Sequence, residues 1–408
     1  MLSGLQRAGS AYRHHRTHRR SVAAHLRTHQ PLNWVQFILG AFLLVDGYPF
    51  PGLPVALPFA EVVMILLIGC ALFGRHRFDQ SRFMPLIFVA SAALVALIIA
   101  SELHDVDWSR RVTRIALLAI FVVCLAVGRL NARSIILGLS LGLVINAAMF
   151  YLGLAPDTYG GVLTGWVGDK NVAGLLLVAV PFLLLPFLSR TWTVPVVLVL
   201  GVVLVFLTGS RTSLTAFAIA LVWVLLSPGR HLAVRAAFIG LAFWFFAWLD
   251  DNFARAFIFE DRDGSDFLRE RIDEAARLKT EIALPWGLGA GESTVLLGPE
   301  QRFFFHDSYL ALLVEGGWIF AVGVVLIYLV IAFRPFSTLR RTPAIIATEA
   351  ATIAMLFCAL KLGEVFITIV GALVLGITLA TRAMEYRRLL SLQVAGESIQ
   401  TTEPTVRA

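Results

Sequence analysis

Charge is scarce in this chain, and where it interrupts an apolar stretch it does so in segments that could hold an anion or move a proton. One is the turn Leu207-Thr208-Gly209-Ser210-Arg211-Thr212-Ser213 between two apolar stretches. An arginine costs about 2.5 to 3.5 kcal/mol at the centre of a membrane helix on insertion scales, and less near the interface. It is therefore kept for pairing, for function or for snorkelling to lipid headgroups, and Arg211 alone supports anion binding and snorkelling equally. Another is Phe303-Phe304-Phe305-His306-Asp307-Ser308-Tyr309-Leu310. Asp307 and Ser308 suit a helix N-cap, while His306 suits either a hydrogen-bonded interfacial residue or a general base acting on a hydroxyl. A fainter one is Gly168-Asp169-Lys170-Asn171-Val172-Ala173, where Asp169 or Asn171 could cap a helix and Lys170 is one of three lysines in the chain.

Ahead of His306 runs a polar loop, 250–305, with twelve acidic and seven basic residues. Its stretch from Phe267 to Leu284 has the period of an amphipathic helix, with Leu268, Ile272, Ala275, Ala276 and Ile282 on one side, suited to lying on a membrane surface. Arg269, Asp273, Arg277 and Glu281 follow at i,i+4 as a ladder of solvated ion pairs. Arg271 stands outside the ladder with only Glu274 nearby, and so is the better candidate for an external anion. The following Pro285-Trp286-Gly287-Leu288-Gly289-Ala290-Gly291-Glu292 lacks the Lys-Ser/Thr of a phosphate loop and reads as a flexible return turn.

The elements that must position these residues are membrane spans. Hydrophobic residues make up 58% of the 408, charged ones 15%, and the mean hydropathy is +0.80, which excludes a water-soluble globular chain. Apolar runs at 33–47, 55–73, 84–100, 113–128, 134–154, 171–189, 192–208, 212–227, 232–249, 306–333, 343–360 and 363–381 have about the length needed to cross a hydrocarbon core. The expected fold is all-α and polytopic, with about twelve transmembrane helices. The organisation is a cytoplasmic basic arm (1–32), helices 1–9 (33–249), the large periplasmic loop (250–305), helices 10–12 (306–381) and a cytoplasmic tail (382–408).

With the N-terminus cytoplasmic, the inner connections carry Arg75, Arg77, Arg82, Arg129, Arg133, Arg190, Arg230, Arg235, Arg334, Arg340 and Arg341, and the outer ones are poorer in arginine or offset by acids. The net charge of +7 thus reads as topology and not as a nucleic-acid partner. No cleavable signal peptide is visible in the polar first 30 residues. His14 with His18 and His25 with His29 have i,i+4 spacing, but a solvated arm touching anionic lipid is the preferred reading over a metal site. Cys70, Cys124 and Cys358 are far apart in sequence and indicate neither a disulfide framework nor a metal site. The tail from Glu397 is expected to be disordered.

Taken in order, Asn171-x-Ala173, Thr208-Gly209-Ser210-Arg211, Pro285-x-Gly287-x-Gly289 and His306-Asp307-Ser308-Tyr309-Leu310 leading to Glu315-Gly316-Gly317 resemble the O-antigen ligase and O-antigen polymerase superfamily of bacterial membrane glycosyltransferases. The resemblance spans about 165 to 335. It implies an all-helical inner-membrane enzyme that works without a metal or other cofactor, taking a glycan from undecaprenyl pyrophosphate at the periplasmic face. The implied acceptor is lipid A-core, with O-antigen or exopolysaccharide polymerisation as the alternative; a lipid-linked sugar transporter or flippase is an alternative from another class. It puts the catalytic residues at Arg211, His306 and a loop arginine that falls at Arg271 or Arg269, of which Arg271 is chosen; Asn171, Arg269, Asp307 and Tyr309, with the nearby Lys170, are then expected to bind substrate. A tryptophan often found just after the loop arginine is absent here, and Asp307 stands where asparagine is common.

Overall fold

The computed structural model describes residues 31–52, 57–79, 84–253, 263–298, 301–335 and 341–400. The arm bearing His14, His18, His25 and His29 lies outside them. Among the described residues the chain forms thirteen α-helices and one two-stranded antiparallel ribbon, an all-helical architecture in its essentials. In chain order the helices are α1 (Trp34–Phe42), α2 (Phe59–Leu72), α3 (Met84–Leu103), α4 (Ser109–Ala126), α5 (Ala132–Tyr151), α6 (Lys170–Leu184), α7 (Thr193–Leu207), α8 (Arg211–Leu226), α9 (Leu232–Phe253), α10 (Asp263–Ala283), α11 (Ser308–Phe333), α12 (Pro343–Cys358) and α13 (Ile369–Gln400). Strands β1 (Thr294–Leu296) and β2 (Arg302–Phe304) lie between α10 and α11.

A helix overlaps each of the twelve expected spans, and α10 occupies the polar loop. By length and composition six can cross a membrane: α3, α5, α6 with its 3-10 extension, α9, α11 and the apolar part of α13. The apolar helices α2, α7, α8 and α12 have only 14 to 16 residues. At 1.5 Å per residue they reach about 21 to 24 Å, short of a hydrocarbon core about 30 Å thick. Residues Asn33–Thr381 form one compact unit. Helix α13 runs on past it to Gln400, where a disordered tail was expected from Glu397.

Helix α12 is the core of the bundle, buried at every position from Ile345 to Cys358, with α6 and α8 packed on it. Its alanines at 347, 350, 351 and 354 let neighbours approach. Its threonines return their hydroxyls to the helix, Thr348 to the Ile345 carbonyl at 3.0 Å and Thr352 to that of Thr348 at 3.1 Å, so no polar group is stranded among apolar side chains. Helices α3, α7 and α9 instead face outward with Phe88, Val199 and Trp244 more than 60% exposed. An apolar exterior on this scale suits lipid and not water.

Helix α11 is not the single rod its hydropathy suggests. Gly316 (φ −134°) and Gly317 (φ 65°) interrupt it, and the Pro285–Gly289 segment fills the break. Leu288 N–H donates to the Val314 carbonyl at 2.7 Å, Gly289 N–H to that of Glu315 at 3.0 Å, and Trp318 N–H to that of Pro285 at 3.0 Å. The backbone groups freed by the break therefore find partners inside protein, as an apolar surrounding demands. A Cβ at Gly287 (φ 87°) would lie 2.6 Å from the Glu315 carbonyl, so this glycine serves close approach. The expected flexible turn is in fact a stitched plug.

The basic connections gather at one end. Arg77 N–H bonds the Val127 carbonyl at 2.9 Å, Arg341 reaches the Ser227 carbonyl at 2.8 Å, and Arg235 reaches that of Phe333 at 3.3 Å. There Glu349, 1% exposed, takes Arg235 at 3.3 Å, a close ion pair from Arg341 and the Trp223 indole N–H at 3.1 Å. Deleting the carboxylate leaves two poorly solvated guanidiniums. Glu349→Ala should therefore cost about 3 to 5 kcal/mol, read as a lower thermal midpoint for exposure of the buried Cys358 thiol in detergent; an unchanged midpoint contradicts this role.

Candidate functional site

At the opposite end, three helix N-termini gather around the C-terminus of α12. The Asp169 side chain caps α6, accepting from Asn171 N–H at 2.7 Å and Val172 N–H at 3.0 Å. Ser210 caps α8 through Ser213 N–H at 3.3 Å. Asp307 caps α11 through Tyr309 N–H at 2.7 Å and Leu310 N–H at 3.1 Å. The first turns of α6 and α8 touch at Gly174, where a Cβ would run into the Ser213 hydroxyl. The Ser213 hydroxyl is among the groups acting on the Cys358 thiol, and the next carbonyl, that of Ala359, accepts Ser308 N–H at 2.9 Å. Such convergence directs the positive ends of three helix dipoles to one region, with Lys170 and Arg211 as the first residues of their helices.

Helix α10 closes the site from the side. Its Ile272, Ala276 and Ala283 are buried with Val295, Phe305, Ala311 and Val314. This corrects the expected membrane-facing stripe: Ile272 and Ala276 pack on protein, whereas Ile282 is 76% exposed. Lys279 fastens the helix to the ribbon, donating to Glu292 at 2.8 Å and to the Thr294 carbonyl at 3.0 Å. The ribbon pairs Thr294 with Phe304, and Phe305 N–H bonds the Ser293 carbonyl at 3.2 Å, so His306 emerges from a fixed backbone.

His306 precedes the helix and lies half-buried. Burial holds its imidazole below its ordinary pKa of 6.5, and the Arg269 charge acts the same way, while Asp273 and Asp169 oppose both. The net result is a neutral imidazole at pH 7. Asp307, also ahead of the helix, has its carboxyl raised by burial against the two N–H groups it accepts. Tyr159 adds an aromatic wall: its hydroxyl donates to Asp169 at 2.7 Å, and Lys170 Nζ sits 5.2 Å from the ring centroid. Burial and Asp169 push this phenol up to about 12, so it remains a donor.

The fields acting on His306 and Tyr159 thus link Asp169, Arg269 and Asp273 from separate segments, with Lys170 on the Tyr159 ring. Asn171 is half-buried in the first turn of α6, and Arg211, also half-buried, is the first residue of α8. Arg269 is half-buried and acts on the imidazole, whereas Arg271 is exposed and is not among the charges acting on it. Tyr309 is engaged in packing, its hydroxyl on the Leu356 carbonyl at 2.9 Å and its ring against Phe366 at 5.3 Å.

A charged network beside the site did not emerge from the sequence. Arg111 of α4 donates to Glu315 of α11 through Nε at 3.1 Å and Nη2 at 2.9 Å, and to Glu364 through Nη1 at 2.7 Å. Arg114, one turn on, joins Glu364 at 3.2 Å to Glu61 at 2.7 Å. Ser293 donates to Glu315 at 2.7 Å. The signal available was Glu315 standing alone in an apolar run, since a buried carboxylate needs a cation, but its partner lies 204 residues away. Among the described residues no group of three or more His, Cys, Asp or Glu is placed to hold a metal ion.

The sign of the His306 environment is open to direct test. Diethylpyrocarbonate acylates neutral imidazole, so labelling of His306 followed by mass spectrometry should reach half its maximum below pH 6.5. Arg269→Met should move that midpoint up and Asp273→Asn should move it down; no response to either contradicts the placement. No protein-family model matches this chain, and no curated protein sequence matches it.

Proposed function

We propose that this chain is a bacterial inner-membrane glycosyltransferase that moves a preassembled glycan from undecaprenyl pyrophosphate to an acceptor hydroxyl, and that the acceptor is lipid A-core. In this reading the twelve apolar helices all cross the bilayer. The arginine-bearing turns are cytoplasmic under the positive-inside rule, and the end carrying His306 is periplasmic.

The observation that carries the reading is the convergence of three helix N-termini at the end where the half-buried His306 precedes α11; the lowered pKa of its imidazole agrees with it. Each part has a task in the reaction. The acceptor oxygen attacks the anomeric carbon, and the bond from that carbon to the phosphate oxygen breaks with its electron pair going to the pyrophosphate. His306, neutral at pH 7, takes the hydroxyl proton as the new bond forms. Arg211 and Arg269, with Lys170 and the helix dipoles, stabilise the charge that develops on the leaving group. Arg269 takes the role the resemblance assigns to Arg271, because its charge is the one that reaches the imidazole.

Transfer from purified donor lipid to lipid A-core in vesicles tests the reaction. His306→Ala should lower the rate about 10²- to 10⁴-fold, and Arg211→Ala should abolish most of it. Arg211→Lys should also be impaired, because a point charge does not reproduce the planar fork. Folded, inserted variants with full activity would refute the proposal. In cells, loss of the gene should strand long polymer on the carrier lipid; single-repeat products would make the enzyme a polymerase.

A further inference from the structure

Arg111 spends all three guanidinium nitrogens on two carboxylates that grip the histidine segment from opposite sides. On one side Glu364 follows Gly363, whose Cα sits so close to the Phe305 carbonyl that no side chain fits there. The same loop receives Ser308 twice, the hydroxyl on the Leu362 carbonyl and the N–H on that of Ala359. On the other side Glu315 lies two turns along α11 from Ser308, holds the Ser293 hydroxyl, and offers its backbone carbonyl to Gly289 of the plug. Ser293 passes the constraint back to His306, because its own carbonyl accepts Phe305 N–H. A small cavity lined by Arg111, Ser308, Glu315 and Glu364 lies within this frame.

We infer that Arg111 is a positioning residue for His306, acting through the Glu364-Gly363 contact on Phe305 and through the Glu315-Ser293 bond. The inference rests on the proposed transfer reaction but assigns a part to residues outside the reacting centre. Arg111 is 12% exposed and Glu315 1%, so the pair is shielded from water and holds its geometry. A bidentate fork sets an angle as well as a distance, and lysine, a single rotatable ammonium, keeps the charge but not the angle. A general base displaced by about 1 Å can lose two orders of magnitude in rate.

The experiment is a double-mutant cycle on the intact protein in vesicles, using undecaprenyl-pyrophosphate-linked glycan and lipid A-core. Arg111→Lys should lower kcat about 10- to 100-fold with little change in the KM for donor. In the His306→Ala background it should have less than a twofold further effect, because there is no imidazole left to position. Glu364→Gln, which keeps the hydrogen-bond acceptor, should lie between Arg111→Lys and the unaltered protein in rate. An equal loss from Arg111→Lys in both backgrounds, or full activity of the single variant, overturns the inference. Full activity of His306→Ala instead overturns the proposed reaction itself. Size-exclusion profile and thermal midpoint identify any variant that fails to fold. If Arg111→Lys does fail, the cycle is run with Glu364→Gln and Ser293→Ala, and additivity of both with His306→Ala overturns the inference equally.

Discussion

A charged side chain inside an apolar bundle costs several kcal/mol unless a group of opposite sign shares its burial. Among the described residues this chain meets the constraint in two separate places. At one end Arg235 and Arg341 close on Glu349; at the other Arg111 and Arg114 join Glu61, Glu315 and Glu364. Helices α8 and α12 run between the ends, about 23 Å apart at helical rise. The distance lets the two clusters do different work. One secures the bundle where the basic turns lie, and the other frames the segment that presents His306.

The proposed chemistry depends on where backbone order stops. Helices α6, α8 and α11 begin at the same end, each with a side-chain cap, so their free N–H groups and dipoles face one region. Helix α11 breaks at Gly316-Gly317, and the plug that repairs the break ends in the ribbon that delivers His306. Partial burial keeps the imidazole neutral, and the charge of the half-buried Arg269 reinforces this. A neutral base beside fixed cations is what an attacking hydroxyl and a departing diphosphate require together.

Much of this was readable from residue order. Apolar runs located the helices because lipid-facing and core-facing positions are both apolar, and hydropathy needs nothing more. The caps at Asp169 and Asp307 were readable because capping is local. Which loop arginine acts on His306 was not: Arg269 and Arg271 are two residues apart, and only the packing of α10 leaves one half-buried and the other exposed. The glycines after Pro285 looked flexible because their partners, the backbone at Glu315 and Gly317, are distant in sequence. The same distance hid Arg111 with Glu315 and Glu364, since hydropathy marks a lone carboxylate as costly but says nothing of its partner. Tyr159 gave no signal at all, being an ordinary loop tyrosine until Asp169 and Lys170 close around it.

The central claim is that Arg211, Arg269 and His306 surround one lipid diphosphate. A photoreactive undecaprenyl pyrophosphate, with its diazirine next to the diphosphate, tests it on the intact protein in vesicles. Crosslinks mapped by mass spectrometry should fall in the segments around 168–172, 208–213, 266–273 and 303–309, and excess unlabelled undecaprenyl pyrophosphate should suppress them. Crosslinks confined to the arginine-rich turns near Ser227 and Arg341, or spread without competition along the outward faces of α3 and α9, would contradict the account.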